Sequence, residues 1–539
     1  MGKKRMLSLV LALVMVLSMG VGLVRAEEEQ KTLRILVNKP PVIEDMNTND
    51  VSLWLEEITG VKVTYDQVPS ENIKERVALM MAGNDLPDAF LNCGIESAQL
   101  VQYGAEDGAF VALDEYIEEG APNLKKAMEA FEQGIDMLRE VDGHIYSLPA
   151  INPCYHCSRA MKMWINDAWV QNLGLSHPTT TDEFYEMLKA FKENDPNGNG
   201  VADEIPLTGS TDGWYTQSLA FVIPSFLYFD YEKKGFVLND EQQVVNGLSA
   251  EGFREAMRYI NKLYSEGLLY EGTLTQKNDQ LKKLVENPEA NLVGATTAGY
   301  GGQFSTELGG ERYREFRPIS PLKGPEGLQY AVSIVQEPGL GAFVVTSACE
   351  DPLTAVKWAD AFYTHEVTAS IYNGLEGVGW RWAEDGETDF DGNPALWTAL
   401  KPYGGDVGSV RNDAWTQMGI YNFSKQWRSG QTADLDQDMW SMEGMEFMLH
   451  CVTRDLYEPY SADKYRLPTL KHTDDEFTRV TDLKMEFDKY FDEAIFNFVT
   501  GAWNVDSDWE MHLENLEMYG LSELLGYYQT AFDRMYAAK

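Results

Sequence analysis

Two α/β lobes threaded by one interleaved chain are what the sequence predicts, and three observations predict them. Strand and helix signals alternate from residue 32 to 147, a second alternating series opens at Met161, and no repeat or low-complexity linker separates the two. Such β-α-β alternation implies sheets covered by helices on both faces. With 539 residues, 44% of them hydrophobic and 12% aromatic, the chain can bury more than one core.

Taken in order, residues 33–37 are a short apolar run and read as a buried strand. Residues 51–58 follow a helical period, 61–65 alternate as a strand, 73–81 are helical, and 88–91 form a short strand. Ligands of open α/β sheets bind beyond the carboxyl ends of strands. Asn92, first in the loop Asn92-Cys93-Gly94, is therefore a candidate ligand residue, with a plain turn as the alternative. Residues 143–149 read as a strand closed by Pro149, and 161–165 begin the second series. Thr180 and Glu183 form a capping box for a helix presenting Phe184, Met187, Leu188 and Phe191 on one face. Strands are expected at 205–207, 291–294 and 342–346, helices at 253–263 and 355–362. The last 65 residues are largely helical, with Leu521, Leu524, Leu525, Tyr528 and Phe532 on one face.

The chain begins as an exported protein begins. Lys3, Lys4 and Arg5 precede an apolar run from Met6 to Val24, and Val24-Arg25-Ala26 offers a cleavage site before Glu27. Residues 1–26 are read as a signal peptide, with an uncleaved anchor as the alternative. No Cys precedes Cys93, so a lipid-attachment Cys is missing. The expected location is extracellular, secreted or at the cell surface. The formal charge of −41 argues against nucleic acid, whose phosphates need basic patches. Cys154 and Cys157 form a C-x-x-C. Plain thiols are the default reading, a local disulfide or a zinc site the alternatives.

Residues 195–206 carry a metal-loop pattern. Asp195, Asn197, Asn199, Asp203 and Glu204 put oxygen side chains at loop positions 1, 3, 5, 9 and 10. Gly200 stands where a calcium loop turns sharply, and Val201 offers a backbone carbonyl. Calcium takes six to eight oxygens, and a loop of this design supplies them. The EF-hand match is incomplete: position 12 is Pro206, so Glu204 takes the role of the usual bidentate Glu. A structural Ca2+ is expected, joining a helix end to a strand. The segment 385–392 is a weaker metal-loop candidate and reads more simply as a hairpin.

Enzyme motifs are missing. There is no G-x-S-x-G, H-E-x-x-H, P-loop or dinucleotide glycine fingerprint. Glycosidase chemistry needs only two carboxylates, which keeps a secreted carbohydrate-active enzyme as an alternative. Trp and Tyr recur in polar, Gly-rich segments, as at Trp214, Tyr300, Trp380 and Trp415. Sugar rings stack on such aromatics while nearby polar groups bind the hydroxyls, so these four are candidate ligand residues.

The chain resembles the extracellular solute-binding proteins of family 1, which serve ABC importers, and especially the large LipO-like subgroup of Gram-positive bacteria. The resemblance is carried by Asn84-Asp85-Leu86-Pro87-Asp88-Ala89, by 143–149, and by Trp164-Ile165-Asn166-Asp167. Further carriers are 178–184, the 195–206 loop, Gly374-Leu375-Glu376-Gly377, 498–501, and Tyr528-Gln529 with Asp533-Arg534. It implies a periplasmic-binding-protein-like fold of type II, with two lobes, a hinge of crossing segments and a helical C-terminal region. The lobes are then expected at 27–148 plus about 300–372, and at 149–299 plus about 373–539. The resemblance implies a monomeric, non-enzymatic receptor that delivers an oligosaccharide or sugar-like solute to membrane permease subunits. A peptide-binding or signalling receptor of the same fold is the alternative. It also implies a calcium loop away from the ligand, with Trp214 and Tyr300 as sugar-binding aromatics and Trp380 and Trp415 as looser assignments. The chain departs from the family in lacking the lipid-attachment Cys, and in having Gly379-Trp380-Arg381-Trp382 where many members have His-Tyr.

Overall fold

The computed structural model describes residues 30–536 except 84, 132, 335, 402–409 and 417; the expected signal peptide lies outside the described residues. The strands are β1 (Lys31–Lys39), β2 (Val61–Pro69), β3 (Ala89–Leu91), β4 (Leu148–Ala150), β5 (Met163–Asn166), β6 (Phe236–Leu238), β7 (Val244–Asn246), β8 (Ala295–Thr297), β9 (Phe316–Ile319), β10 (Gly339–Val345), β11 (Trp380–Trp382) and β12 (Trp397–Ala399). They form sheets of order β2-β1-β3-β10-β4, β8-β5-β9, β6-β7 and β11-β12.

The first sheet is the spine of lobe 1. β1 pairs in parallel with β2 and β3, and β10 runs antiparallel beside β3. Alternation of period two divides its side chains between two cores. Ile35, Val37, Leu91 and Phe343 point into one with Trp358 and Phe362. Leu36, Phe90 and Val344 point into the other. Covering both faces explains why the apolar residues run without alternation from Ile35 to Val37, whereas Arg34 is part-buried and its Nε donates to Asp66 at 2.7 Å. The helix Asp50–Thr59 starts where the Asn49 side chain accepts from the Val51 N–H and stops at Gly60, whose φ of 69° suits a residue without Cβ.

Lobe 2 is built on β5, buried along its whole length between β8 and β9 and antiparallel to both. The long helix Asp474–Thr500 packs on Glu251–Ser265, whose Phe253, Met257, Ile260 and Leu263 are buried. In the last helix, Leu521–Tyr536, the expected face is found: Leu521, Leu524 and Phe532 are buried, while Leu525 and Tyr528 are partly covered. The strand expected at 291–294 lies at β8 instead. Val293 and Ile205 form an isolated bridge beside it, and Leu207 and Thr208 bridge to Leu269 and Thr296. The expected strand at 143–149 reduces to β4 at its end.

The crossings between lobes differ from the expected ones. Core residues run 33–151 in lobe 1, 161–331 in lobe 2, 342–420 in lobe 1 and 445–532 in lobe 2. The chain therefore stays in lobe 2 past residue 300, because β9 pairs with β5, and it stays in lobe 1 past 373, because Trp415, Met418 and Ile420 complete the first core. The thiols expected at Cys154 and Cys157 are joined in a disulfide within the first crossing, which removes both as metal ligands. The 385–392 segment is a hairpin loop of lobe 1 that reaches lobe 2. Asp391 accepts from His450 and Arg454 at 2.9 and 3.1 Å, and Phe390 packs on Phe447. On another side, Lys471 of lobe 2 is buried against lobe 1. Its ammonium donates to the carbonyls of Met137 and Arg139 at 3.0 and 2.6 Å and stands 3.9 Å from the Glu140 carboxylate.

Candidate ligand-binding site and calcium loop

The helix Thr181–Glu193 opens with the expected capping box, and its buried face is Phe184, Met187, Leu188 and Phe191. It leads into the 195–206 loop. Asp195, Gly198 and Gly200 all have positive φ, which turns the loop back on itself. The Asp195 carboxylate accepts from the N–H groups of Asn199 and Gly200 at 3.1 and 3.0 Å. Asn199 Oδ1 accepts from Val201 N–H at 2.7 Å, and the Asn197 and Asn199 amides donate to Asp203. Glu204 Oε1 is buried with no hydrogen-bond partner among the described residues. Burial first, then Asp195 and Asp203, pushes the Glu204 carboxyl above its ordinary range. Converging hard oxygens with an orphaned carboxylate oxygen suit Ca2+. Past the loop, Ile205 N–H donates to Leu292 O at 2.8 Å and the Ile205 carbonyl accepts from Gly294 N–H at 2.9 Å, fixing the segment beside β8.

Away from this loop, Trp214 and Tyr300 meet in one wall on lobe 2. Their ring centroids are 6.1 Å apart, and Tyr215 lies 5.5 Å from Trp214. The glycines nearby are the reason the rings lie there. A Cβ on Gly299 would come within 2.1 Å of the Trp214 ring, and one on Gly302 within 2.5 Å of the Tyr300 ring. Bare backbone lets each ring lie flat on the main chain. Trp214 N–H donates to Gln303 Oε1 at 2.9 Å, and its carbonyl accepts from Gly299 at 3.0 Å. Held this way, Trp214 is still 37% exposed.

Tyr215 also lines a cavity of about 180 Å³ whose other walls include Met161, Asp230, Tyr231, Ser333 and Ile334. Asp230 is 9% exposed, and its Oδ1 accepts from Lys233 N–H at 3.1 Å. Burial is the largest influence and pushes its carboxyl up from 3.8 to about 6; the Lys233 N–H and charge pull the other way. Because the folded value is raised, the folded protein holds a proton that the unfolded chain has released between about pH 4 and 6. This contribution to stability is full below pH 4 and lost as the pH rises through 6. We expect wild type to gain on the order of 3 kcal/mol relative to Asp230→Asn between pH 7 and 4. His512, held down to about 4 by burial, acts in the opposite sense. Denaturant midpoints of the two proteins at each pH, compared as a difference, check it.

The other expected residues lie elsewhere. Trp415 is fully buried in lobe 1, with its Nε1 donating to Ser52 Oγ at 3.0 Å and its ring against Tyr65 and Phe362. Trp380 is also fully buried, with its Nε1 on Ser370 Oγ at 3.1 Å and its ring against Trp382 and Trp427. Neither offers a face to a ligand; Gly-rich sequence near an aromatic marks a ring laid on backbone as readily as an open loop. Asn92 is half-buried on lobe 1 at the end of β3, with φ 55° and its N–H on Ala342 O at 2.7 Å. Sequence reasoning missed Tyr215, Asp230 and Tyr231. The run Tyr228-Phe229-Asp230-Tyr231, an acid set among aromatics, is the signal that was available.

Fold and site together describe a two-lobed binding protein, and residues 35–369 match the model of the bacterial extracellular solute-binding proteins, the family to which the chain belongs. Its fold is the type II periplasmic-binding-protein-like one of the solved solute-binding proteins it superposes on. The chain is 25% identical to the fructooligosaccharide ABC transporter substrate-binding protein FusA of Streptococcus pneumoniae serotype 4, over 95% of this chain and 92% of that one. A solved structure of S. pneumoniae FusA, an EF-hand mutant in complex with fructo-nystose, superposes with a TM-score of 0.75 at 22% identity, covering 94% of this chain and all of the other. An HMO-binding, ABC-transporter-associated solute-binding protein of Bifidobacterium longum infantis also gives 0.75, at 19% identity, covering 94% and 99%.

Proposed function

We propose that the chain is the solute receptor of an ABC importer and that it holds an oligosaccharide between its lobes, with Trp214, Tyr215 and Tyr300 as the stacking wall. One observation carries this reading: a tryptophan laid on glycine backbone, exposed on one face, beside a second aromatic and a largely apolar cavity that holds the Asp230 carboxylate. FusA, described as a fructooligosaccharide-binding protein, supports it. Ligand contacts to both lobes favour the closed arrangement and shift the equilibrium toward it. The receptor is extracellular, released or held at the surface after removal of its leader, and works as a monomer with permease subunits. It binds rather than transforms its ligand. Asp195, Asn197, Asn199, Asp203 and Glu204, with the Val201 carbonyl, hold Ca2+, which neutralises their charge; the EF-hand of FusA supports this.

A thermal-shift panel of oligosaccharides and peptides tests the reading, since a ligand that binds the native state raises the midpoint. Glycans are expected to raise it and peptides are not; a peptide response, or glycan turnover, would reject it. Trp214→Ala is expected to lose about 2 kcal/mol of binding, roughly thirtyfold in affinity, with the melting midpoint of the free protein retained. Unchanged affinity in calorimetric titration would remove Trp214 from the wall.

A further inference from the structure

We propose that the cavity around Asp230 is an end pocket for a single neutral sugar ring, which gives hydroxyl hydrogen bonds to the Asp230 carboxylate, and that this carboxylate excludes uronic acids. The inference rests on the sugar-receptor reading above and names the ligand class within it.

Size is the first argument. About 180 Å³ is below the ~300 Å³ at which pockets for drug-sized ligands begin, so the cavity takes one ring and not a chain. The rest of an oligosaccharide leaves past Tyr215, which belongs both to the cavity and to the Trp214–Tyr300 wall. Ala220, Phe229 and Ile334 give the ring an apolar side, and Ser333 and Tyr215 give it polar edges. Among the described residues no group pairs with the Tyr215 hydroxyl.

Charge is the second argument. Asp230 is held in place by the turn that follows it: Lys233 N–H donates to its Oδ1, and Gly235 N–H donates to its backbone carbonyl at 2.9 Å. No ion pair is formed by its carboxylate among the described residues. A hydroxyl donating to a carboxylate in a nearly dry site makes a strong, charge-assisted bond. A ligand carboxylate in the same place would meet Asp230 and Glu232 against Lys233, the one cation among the described lining residues, at a separation where repulsion is barely screened. The field of a chain with 85 acidic and 44 basic residues acts in the same direction.

The test is calorimetric titration of the full chain with neutral trisaccharides, kestose among them, and with trigalacturonate. Wild type is expected to bind a neutral member and to show no heat with trigalacturonate. Asp230→Asn is expected to bind the neutral sugar about tenfold to a hundredfold more weakly. Should that variant fail to fold, the pH profile of wild type replaces it: neutral-sugar affinity is expected to fall as the pH drops from 7 to 4.5 and Asp230 is protonated. The charged groups facing Asp230 are Lys233 and Glu232 of its own turn; Tyr215, Tyr228, Ser333 and Thr469, from the elements packed around it, carry no charge in that range. Binding of trigalacturonate alone, or an Asp230→Asn protein with undiminished neutral-sugar affinity, would overturn this inference and leave the sugar receptor standing. If no glycan of either kind binds, the receptor reading fails and the end pocket fails with it.

Discussion

Trp415→Ala is expected to lose about 3–5 kcal/mol of folding stability while the protein that remains folded keeps its ligand affinity. The side chain is fully enclosed between Tyr65 of β2 and Phe362, and its Nε1 reaches Ser52 on the first helix. Its neighbour Ala414 accepts from the Asn49 amide at 3.1 Å, so the same short segment secures the cap of that helix. Truncation leaves a cavity under the main sheet and takes one donor from the Ser52 hydroxyl. The opposite outcome belongs to Trp214→Ala, whose ring lies on the surface of lobe 2. Urea midpoints and titrations on both variants separate the two roles. Lost affinity with full stability in Trp415→Ala would return that residue to the binding site.

Removal of calcium is expected to lower the melting midpoint first and ligand affinity only through it. For a dissociation constant of ~10⁻⁴–10⁻³ M and millimolar free calcium, mass action gives about 0.5–1.5 kcal/mol. Asp195→Ala should lose somewhat more, because Asp195 also accepts from the N–H groups of Asn199 and Gly200 without any metal. The loop joins the helix Thr181–Glu193 to the bridges at Ile205 and Thr208 beside β8, whereas the aromatic wall begins at Trp214. Melting curves with calcium and with chelator check this: wild type should respond and Asp195→Ala should not. A midpoint indifferent to calcium in wild type would end the assignment.

Local patterns were legible from the sequence where local rules decide. Thr180 and Glu183 announced a helix, and it begins there with both reciprocal bonds in place. The run 33–37 announced a strand buried on both faces. Pairing of distant segments was not legible. Nothing near residue 300 says that β9 turns back on β5, so the crossing expected there falls after 331. The aromatic candidates show the same limit. Trp214 and Trp415 both stand in polar, glycine-bearing surroundings, yet one lies on Gly299 at the surface and the other lies under helix Asp50–Thr59. Which of them is covered is decided by chain that returns from hundreds of residues away. Asp230 was passed over because a single acid in an apolar run has no periodic signature; its meaning comes from the turn to Lys233 and from the crossing at 332–334.

Lys471 sets a condition on any movement of the lobes. Lys471 is 8% exposed, and its ammonium is satisfied by two carbonyls that belong to the other lobe. Gln133 adds a neighbouring tie by donating to the Met535 carbonyl at 3.3 Å. Drawing residues 137–140 away from 471 would exchange two carbonyl bonds and the nearby Glu140 carboxylate for water, at the loss of a charge-assisted contact. A swing that keeps those oxygens must turn about an axis close to this lysine, as a door turns on its pin. A swing that meets this condition would pivot at the Lys471 corner, and the edges of the cleft farthest from it would travel the greatest distance.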